Sequence, residues 1–383
     1  GQGFAVRFRE VLDKRCRQWR QVRMQIPVRW SEQDPLEQFV FKALLLDAEP
    51  AEITVAELTQ LHVEHLDRDV LLGNEQQLRE LFGLLVSAHY RTTPQDLLEL
   101  LDSPDIGILV AHSQGHVAGV LLYASEGGLE TGLALAISEG RRRVRGHLVP
   151  QVLAAQLGFA TAAEQKILRI MRIAVHAGLR RRGIARKLLD ALYTHAGDRQ
   201  ADMLGASFGA TPALLQFWQH NGFSPVRLGM RREASSGAHA VLIVRPLSGR
   251  GSVLQEQAAM RFRDNLLAQL AGPLRQLEAS VAVALCRGLD LAPGALSRDV
   301  VQQLQAFSAG QRGYEDCLGA LRQLLLQMLA SGVPGMDARQ LQALLQKILQ
   351  GRSWTAVAGQ LQLTGKAEVL EVLRTAVRQA LKT

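Results

Sequence analysis

The order of elements along the chain predicts an α/β (α+β) domain of intermixed strands and helices, followed by an all-α C-terminal domain. Three observations carry this. Two branched apolar runs flank a Ser113-Gln114-Gly115 turn, a third such run at 168–175 leads into a helix start with glycine at 183, and strand signals vanish after 248. A chain of 383 residues is too long for one ordinary domain. With 47% apolar and 21% charged residues it is not a disordered polymer. The most apolar stretch of the first half, Ile106 to Ala124, is interrupted by His112, Ser113, Gln114 and His116, so no unbroken run approaches the ~18 residues a membrane span needs. Only Cys16, Cys286 and Cys317 occur, which excludes a disulfide framework and a Cys-rich zinc site and fits a reducing, cytoplasmic setting. No metal is expected.

Residues 1–55 read as the end of a preceding domain. They carry an Arg-rich helical pattern over Phe4–Val22, a strand-like Met24–Val28, and a Pro35-led helix with Leu36, Phe39, Val40 and Leu44 to Leu46 on its apolar side. Such a piece is too small for its own core and is expected to lean on sequence outside this chain.

Residues 56–248 alternate helix and strand. Asn74 is placed to cap a helix to about His89, with Leu78, Leu81, Phe82 and Leu85 on one face. Thr93-Pro94 opens a second helix through Leu101, and Ile106–Ala111 with Val117–Tyr123 forms the hairpin. The strand Leu168–Val175 is followed by a loop, Ala177–Arg182, and a helix from Gly183 to about Ala196. Leu204–Phe208, Pro212–His220 and Ala238–Val244 then predict strand, helix and strand. From 249 to 383, Leu, Gln and Ala recur with a 3.6-residue period. Breaks at Gly272-Pro273, Ala292-Pro293-Gly294, 331–335 and 351–353 predict four to six packed helices.

Chemistry concentrates where the 168–175 strand ends. A helix start exposes unpaired main-chain N–H groups and the positive end of the dipole, a combination that binds pyrophosphate. Gly183 and Ala185 are small enough for phosphate oxygens to approach, and Arg180, Arg181, Arg182 and Arg186 add charge. No G-x-G-x-x-G is present, and Gly359–Lys366 lacks the spacing and hydroxyl of a Walker loop. The pattern Arg180-x-x-Gly183-x-Ala185 resembles the (Gln/Arg)-x-x-Gly-x-(Gly/Ala) signature of GNAT N-acetyltransferases. That resemblance implies a mixed central sheet and a grip on the pyrophosphate of acetyl-CoA.

A more specific resemblance rests on segments in one order. They are His89-Tyr90-Arg91-Thr92-Thr93-Pro94, Arg145-Gly146-His147-Leu148, Arg172-Ile173-Ala174-Val175-His176, Ser207-Phe208-Gly209, Phe217-Trp218 with Gly222-Phe223, and Arg232-Glu233-Ala234-Ser235-Ser236-Gly237. Together they resemble the bacterial tRNA(Met) cytidine acetyltransferase family, TmcA, whose members join a helicase module, a GNAT domain and a helical tail. Gly1-Gln2-Gly3-Phe4 is similar to the close of that helicase module, so the resemblance implies a chain truncated at its N-terminus. It implies domains at 1–55 (helicase remnant), 56–248 (GNAT) and 249–383 (helical, tRNA-binding). It further implies acetyl-CoA as donor, N4 of the wobble cytidine of elongator methionine tRNA as acceptor, and ATP with Mg used only by the missing helicase module. The donor's contacts fall on Ile173, Ala174, Val175 and the loop Arg180, Arg181, Arg182, Gly183, Ile184, Ala185, Arg186. Departures from the family pattern are Arg180 for Gln, Ala185 for Gly, Ala177 for Pro, and Ala213 and His220 for Glu and Arg.

The candidates for chemistry are the main-chain N–H of Val175 as oxyanion donor and His176, His220 and Glu233 as proton carriers, Glu233 being equally able to pair with Arg231 or Arg232. No Tyr stands in the 212–220 helix to protonate a leaving thiolate. The net charge is +8, and only seven of the 44 basic residues are Lys, so Arg supplies the other 37. Arg suits bidentate phosphate contacts. The RNA candidates are Arg141, Arg142, Arg143, Arg145, Arg231, Arg232, Arg261 and Arg263. Trp354 could stack on a base, although plain packing accounts for it better. Two other functions fit the same residues: a GNAT acting on a protein lysine or small amine, and a catalytically weak RNA-binding adaptor. The oligomeric state is left open.

Overall fold

A computed structural model of the chain describes residues 8, 12–13, 15–20, 22, 28–53, 61–88, 92–234, 236–289, 291, 294–331 and 336–382. Most of the expected helix over 4–22 and strand over 24–28 lies outside these residues, as do His89, Tyr90, Arg91 and Ser235. The chain divides into two compact units, 1–206 with 246–250, and 207–245 with 251–383.

In the first unit, the Asp34 carboxylate accepts the N–H groups of Leu36 and Glu37 at 2.9 and 3.0 Å and caps α1 (Pro35–Ala43), with Pro at the first helical position. No residue of α1 is buried; Leu36 and Phe39, expected on a packed side, are 69% and 67% exposed. The sheet begins with β1 (Leu61–His65), followed after two helices, α2 (Arg68–Leu72) and α3 (Glu75–Ala88), by α4 (Pro94–Asp102). Next come β2 (Ile106–Ser113) and β3 (His116–Gly127), joined by the Gln114-Gly115 turn with φ values of 50° and 84°. Two positive φ values in a two-residue loop make a type I′ turn, whose twist matches the flanking strands.

Strands β1, β2, β3 and β4 (Lys166–Val175) pair antiparallel in that order, and β4 pairs β5 (Met203–Gly209) in parallel, so the sheet is mixed. One face is covered by α3 and α4, which bury Leu81, Phe82, Leu85, Leu97 and Leu100 against Ile108, Val110, Val120, Leu122 and Ala174. α6 (Ile184–Asp198) packs on β3 and its neighbours, burying Ile184, Leu188, Leu189 and Leu192. Between β3 and β4 lie α5 (Thr131–Ser138), a helical turn at Leu148–Gln151 that widens into a π turn at Val152–Gln156, and a 3₁₀ turn at Ala160–Glu164.

The second unit holds α7 (Pro212–His220), capped by the Thr211 hydroxyl, and an antiparallel pair, β6 (Ser224–Arg232) and β7 (His239–Pro246). Seven helices follow among the described residues: α8 (Gly249–Leu270), α9 (Ala279–Arg287), α10 (Arg298–Ser308), α11 (Leu318–Ser331), α12 (Ala338–Leu344), α13 (Trp354–Leu361) and α14 (Lys366–Ala380). The sequence predicts four to six. The structure adds breaks after Ser308, where Gly310 takes a φ of 82°, and after Leu361, where Gln362 ends the helix at a φ of 56°. Leu254, Ala258, Phe262, Leu266 and Leu270 form the buried stripe of α8 at four-residue spacing.

Candidate functional site

The register of β4 decides what its end can do. Val175 lies opposite Gly119, while the N–H of His176 donates to the carbonyl of Ala118 at 3.0 Å. In an antiparallel ladder a bond one residue beyond a facing pair marks that pair as non-hydrogen-bonded. The N–H groups of Val175 and, two residues earlier, Ile173 therefore point away from β3, toward the β5 side. There the parallel ladder ends at Ile170 opposite Ala206 among the described residues. A bulge also displaces Met171, because Leu122 faces Arg172 and Tyr123 faces Ile170. Past Ile170, β4 thus presents two main-chain donors on a side that β5 has left.

The loop beyond supplies more donors. A 3₁₀ turn at Ala177–Leu179 leads to Arg181 at φ 62° and Gly183 at φ 80°. Gly183 is the N-cap of α6 rather than its first residue, and no side chain caps the helix. The first intrahelical bond is Lys187 N–H to Gly183 O at 3.0 Å, so the N–H groups of Ile184, Ala185 and Arg186 have no intrahelical acceptor. The space where a Gly183 side chain would stand is open to 4 Å. Arg180, Arg181 and Arg182 are exposed and make no ion pair or hydrogen bond among the described residues, and Arg186 lies 3.9 Å from Asp190 in a solvated pair of little strength. A non-glycine residue held at positive φ in such a loop is the kind of strain that collects at binding sites.

Sequence reasoning missed Gly119. A Cβ there would stand 2.8 Å from Ile184 Cγ2 and 3.2 Å from Leu188 Cδ1, so its absence seats the first turn of α6 on β3. An isolated glycine inside a strand is a signal for such close approach.

The other candidates divide between the units. In the first, His176 is half-buried and its Nδ1 has no hydrogen-bond partner among the described residues, although it sits beside Gly178. Arg172 bonds Thr92 Oγ1 at 2.9 Å and pairs with Asp96, joining two of the segments that carry the resemblance. Arg141 pairs with Glu139, whereas Arg142, Arg143 and Arg145 are exposed. Arg145 lines a cavity of about 1210 Å³ with Lys166, Arg199, Glu99 and Asp105.

In the second unit, His220 Nδ1–H donates to Gln216 O at 2.7 Å, which leaves Nε2 as the acceptor. Glu233 does not pair with Arg232. That guanidinium reaches Glu278 at 2.7 Å and Gly237 O at 3.1 Å, while Glu233 accepts the Ser236 hydroxyl at 3.4 Å. Arg231 and Arg261 are exposed and Arg263 pairs with its neighbour Asp264 at 2.9 Å. Phe208, Phe217 and Phe223 surround Trp218 with ring centroids 4.9–5.9 Å apart, so these family segments build a core rather than a contact surface.

Three family models match the chain in order. Residues 1–47 match RNA cytidine acetyltransferase NAT10/TcmA, helicase domain; residues 80–201 and 194–248 match GNAT acetyltransferase 2; residues 251–383 match a tRNA-binding domain. The tRNA(Met) cytidine acetyltransferase TmcA of Nitrosococcus halophilus is 45% identical over 384 residues, 99% of this chain and 52% of that protein. Nearly the whole of this chain is thus similar to TmcA. TmcA of Haloferax volcanii is 38% identical over 97% of this chain and 50% of its own length, and TmcA of Vibrio cholerae is 33% identical over 98% and 52%. The chain therefore spans about half the length of the TmcA relatives it matches. Among solved structures, the ribosomal-protein-S18-alanine N-acetyltransferase of Escherichia coli aligns at a TM-score of 0.34 and 11% identity, covering 49% of this chain and 95% of that one.

Proposed function

We propose that this chain transfers the acetyl group of acetyl-CoA to N4 of the wobble cytidine of elongator methionine tRNA, in the cytoplasm, forming N4-acetylcytidine. The observation that carries the reading is the unpaired edge of β4 running directly into the amide-lined start of α6. The acceptor is supported by the TmcA relatives and by the tRNA-binding model over 251–383. We read 1–55 as the end of a helicase module to which any use of ATP and Mg belongs, 56–248 as the acetyltransferase and 249–383 as the tRNA-binding tail.

The residues fit the donor. The N–H groups of Ile184, Ala185 and Arg186, with the charges of Arg180, Arg181 and Arg182, would hold its diphosphate. The N–H groups of Ile173 and Val175 would hold its amide and acyl carbonyls, with Ala174 turned into the core. Acetyl-CoA supplies an activated thioester. The cytosine N4 amine is conjugated with its ring and needs no proton removed before attack. The bond from N4 to the acyl carbon forms, the bond to sulfur breaks, N4 loses one proton, and the thiolate gains one. The chain's task is to orient the amine and stabilise the oxyanion, for which one fixed donor such as Val175 N–H is worth about 3 kcal/mol. His176, His220 and Glu233 are the groups we assign to proton movement.

The test is direct. Chain, acetyl-CoA and methionine tRNA are combined, and the digested RNA is examined by mass spectrometry for N4-acetylcytidine. Acetylation of lysine peptides but not RNA would replace the reading with a protein acetyltransferase. Binding of tRNA and acetyl-CoA without turnover would leave an RNA-binding adaptor.

A further inference from the structure

We propose that the helical tail holds a tRNA backbone phosphate between Lys347 and Lys366, beside the indole of Trp354. The proposal rests on the tRNA reading above. Two of the chain's seven lysines converge on this one ring: Lys347 Nζ lies 4.3 Å and Lys366 Nζ 5.2 Å from its centroid. Tyr314 meets Trp354 at 5.0 Å with ring planes 77° apart, and Lys347 Nζ is 5.3 Å from the Tyr314 ring as well. The Tyr314 hydroxyl donates to Lys347 O at 3.0 Å, and Lys347 Nζ donates to Arg352 O at 2.8 Å. The ammonium is thus fixed by main chain and aromatic faces.

What the cluster lacks is an ion-pair partner. Neither lysine forms an ion pair among the described residues, and Glu315 raises the Lys347 pKa through its charge without pairing with it. The nearby Arg352 guanidinium donates instead to Arg275 O, Leu277 O and Gln360. Burial, then the charge of Lys366, pull the Lys347 pKa below its ordinary value. Lys366 opens α14, where the dipole disfavours a cation. Two ammonium groups held beside one ring without a salt bridge form an arrangement that a phosphate, with several acceptor oxygens and one negative charge, satisfies. The half-exposed indole beside them offers a face for the adjoining ribose or base. A peptide carboxylate would meet the charge requirement but would leave that face unused.

The experiment measures binding of the whole chain to methionine tRNA across a salt series, for the unaltered protein, the Lys347→Gln/Lys366→Gln pair, and the Lys347→Arg/Lys366→Arg pair. The Gln pair is expected to weaken binding several-fold and to reduce the slope of log affinity against log salt by roughly 0.7–0.9, the equivalent of one phosphate. The Arg pair keeps the slope, and acetyl-CoA affinity is the same in all three. An unchanged slope in the Gln pair overturns the site, as does a loss of binding to polyglutamate without loss to tRNA. If the unaltered chain does not bind tRNA at all, it is the functional reading that falls. Should the Gln pair fail to fold, Lys366→Gln alone decides: it removes a cation from a helix start, so it must hold or raise the thermal midpoint while lowering tRNA affinity.

Discussion

Gly183 is conformationally obliged to be glycine and sterically free not to be. Its φ of 80° disfavours any L side chain, yet nothing stands within 4 Å of the place a Cβ would take. Gly183→Ala is therefore expected to cost about 1 kcal/mol in stability through the backbone alone. Gly183→Glu adds a carboxylate where a diphosphate would sit. It is expected to abolish acetyl-CoA binding by calorimetry while tRNA affinity stays within a few-fold; an unchanged cofactor affinity would refute the loop assignment. The spacing of Arg180, Gly183 and Ala185 was legible because it is local. The left-handed Arg181, the orphaned Nδ1 of His176 and the pairing of Arg232 with Glu278 were not, since each depends on where distant segments come to lie.

At the scale of elements, the site is a matter of how α6 sits on β3. Its buried face, Ile184, Leu188, Leu189 and Leu192, could pack on many sheets; the close seat at Gly119 fixes where its first turn ends. Gly119→Val would push a branched side chain into Ile184 and Leu188, an overpacking that costs ~1–3 kcal/mol. The expected result is a lower thermal midpoint together with acetyl-CoA affinity reduced at least about tenfold, read on protein whose circular dichroism still shows the native helix content. A stability loss with unaltered cofactor affinity would mean that the seat does not position the loop. The strongly patterned elements were legible: α3, α4, the hairpin, β4, β5, α6, α7 and β7 all lie within a few residues of where apolar period and caps place them. The others carry weak signals. β1 is a short edge strand with His62, Glu64 and His65 exposed, β6 contains Pro225 and three arginines, and the π and 3₁₀ turns between Val152 and Glu164 depart from the α period.

For the whole molecule, acid should distinguish the two units. The first contains His65 and His195, whose Nε2 atoms meet the buried Tyr123 hydroxyl at 2.9 and 2.7 Å. Burial and then the positive charge of Arg199 lower both pKa values, with Arg68 adding to His65 and His65 to His195, against the opposing charges of Asp67 and Asp198. His112, in the same unit, is lowered by burial, which outweighs the pull of Glu64. A histidine depressed in the folded state binds fewer protons there than when unfolded, so its contribution is whole above an unfolded pKa of about 6.5 and is lost as pH falls through the lower folded value. Against the upward pull of burial, hydrogen bonds from Gln76, His116 and the Val117 N–H lower Glu80, whose contribution is lost only further down, below about 4.5. The second unit has acids of this kind, Glu278 and Glu368, whose contributions are likewise lost only below about 4.5. Hydrogen exchange at pH 7.5 and 5.5, corrected for intrinsic rates, is expected to show protection falling in β3 and α6 while α11 and α14 keep theirs. Tyr123→Phe should lower the first unit's stability by about 1 kcal/mol at pH 7.5, and His195→Gln should shrink the difference between the two pH values. Equal losses in both units, or a His195→Gln protein with the original pH response, would show that the acid sensitivity comes from net charge rather than from these imidazoles.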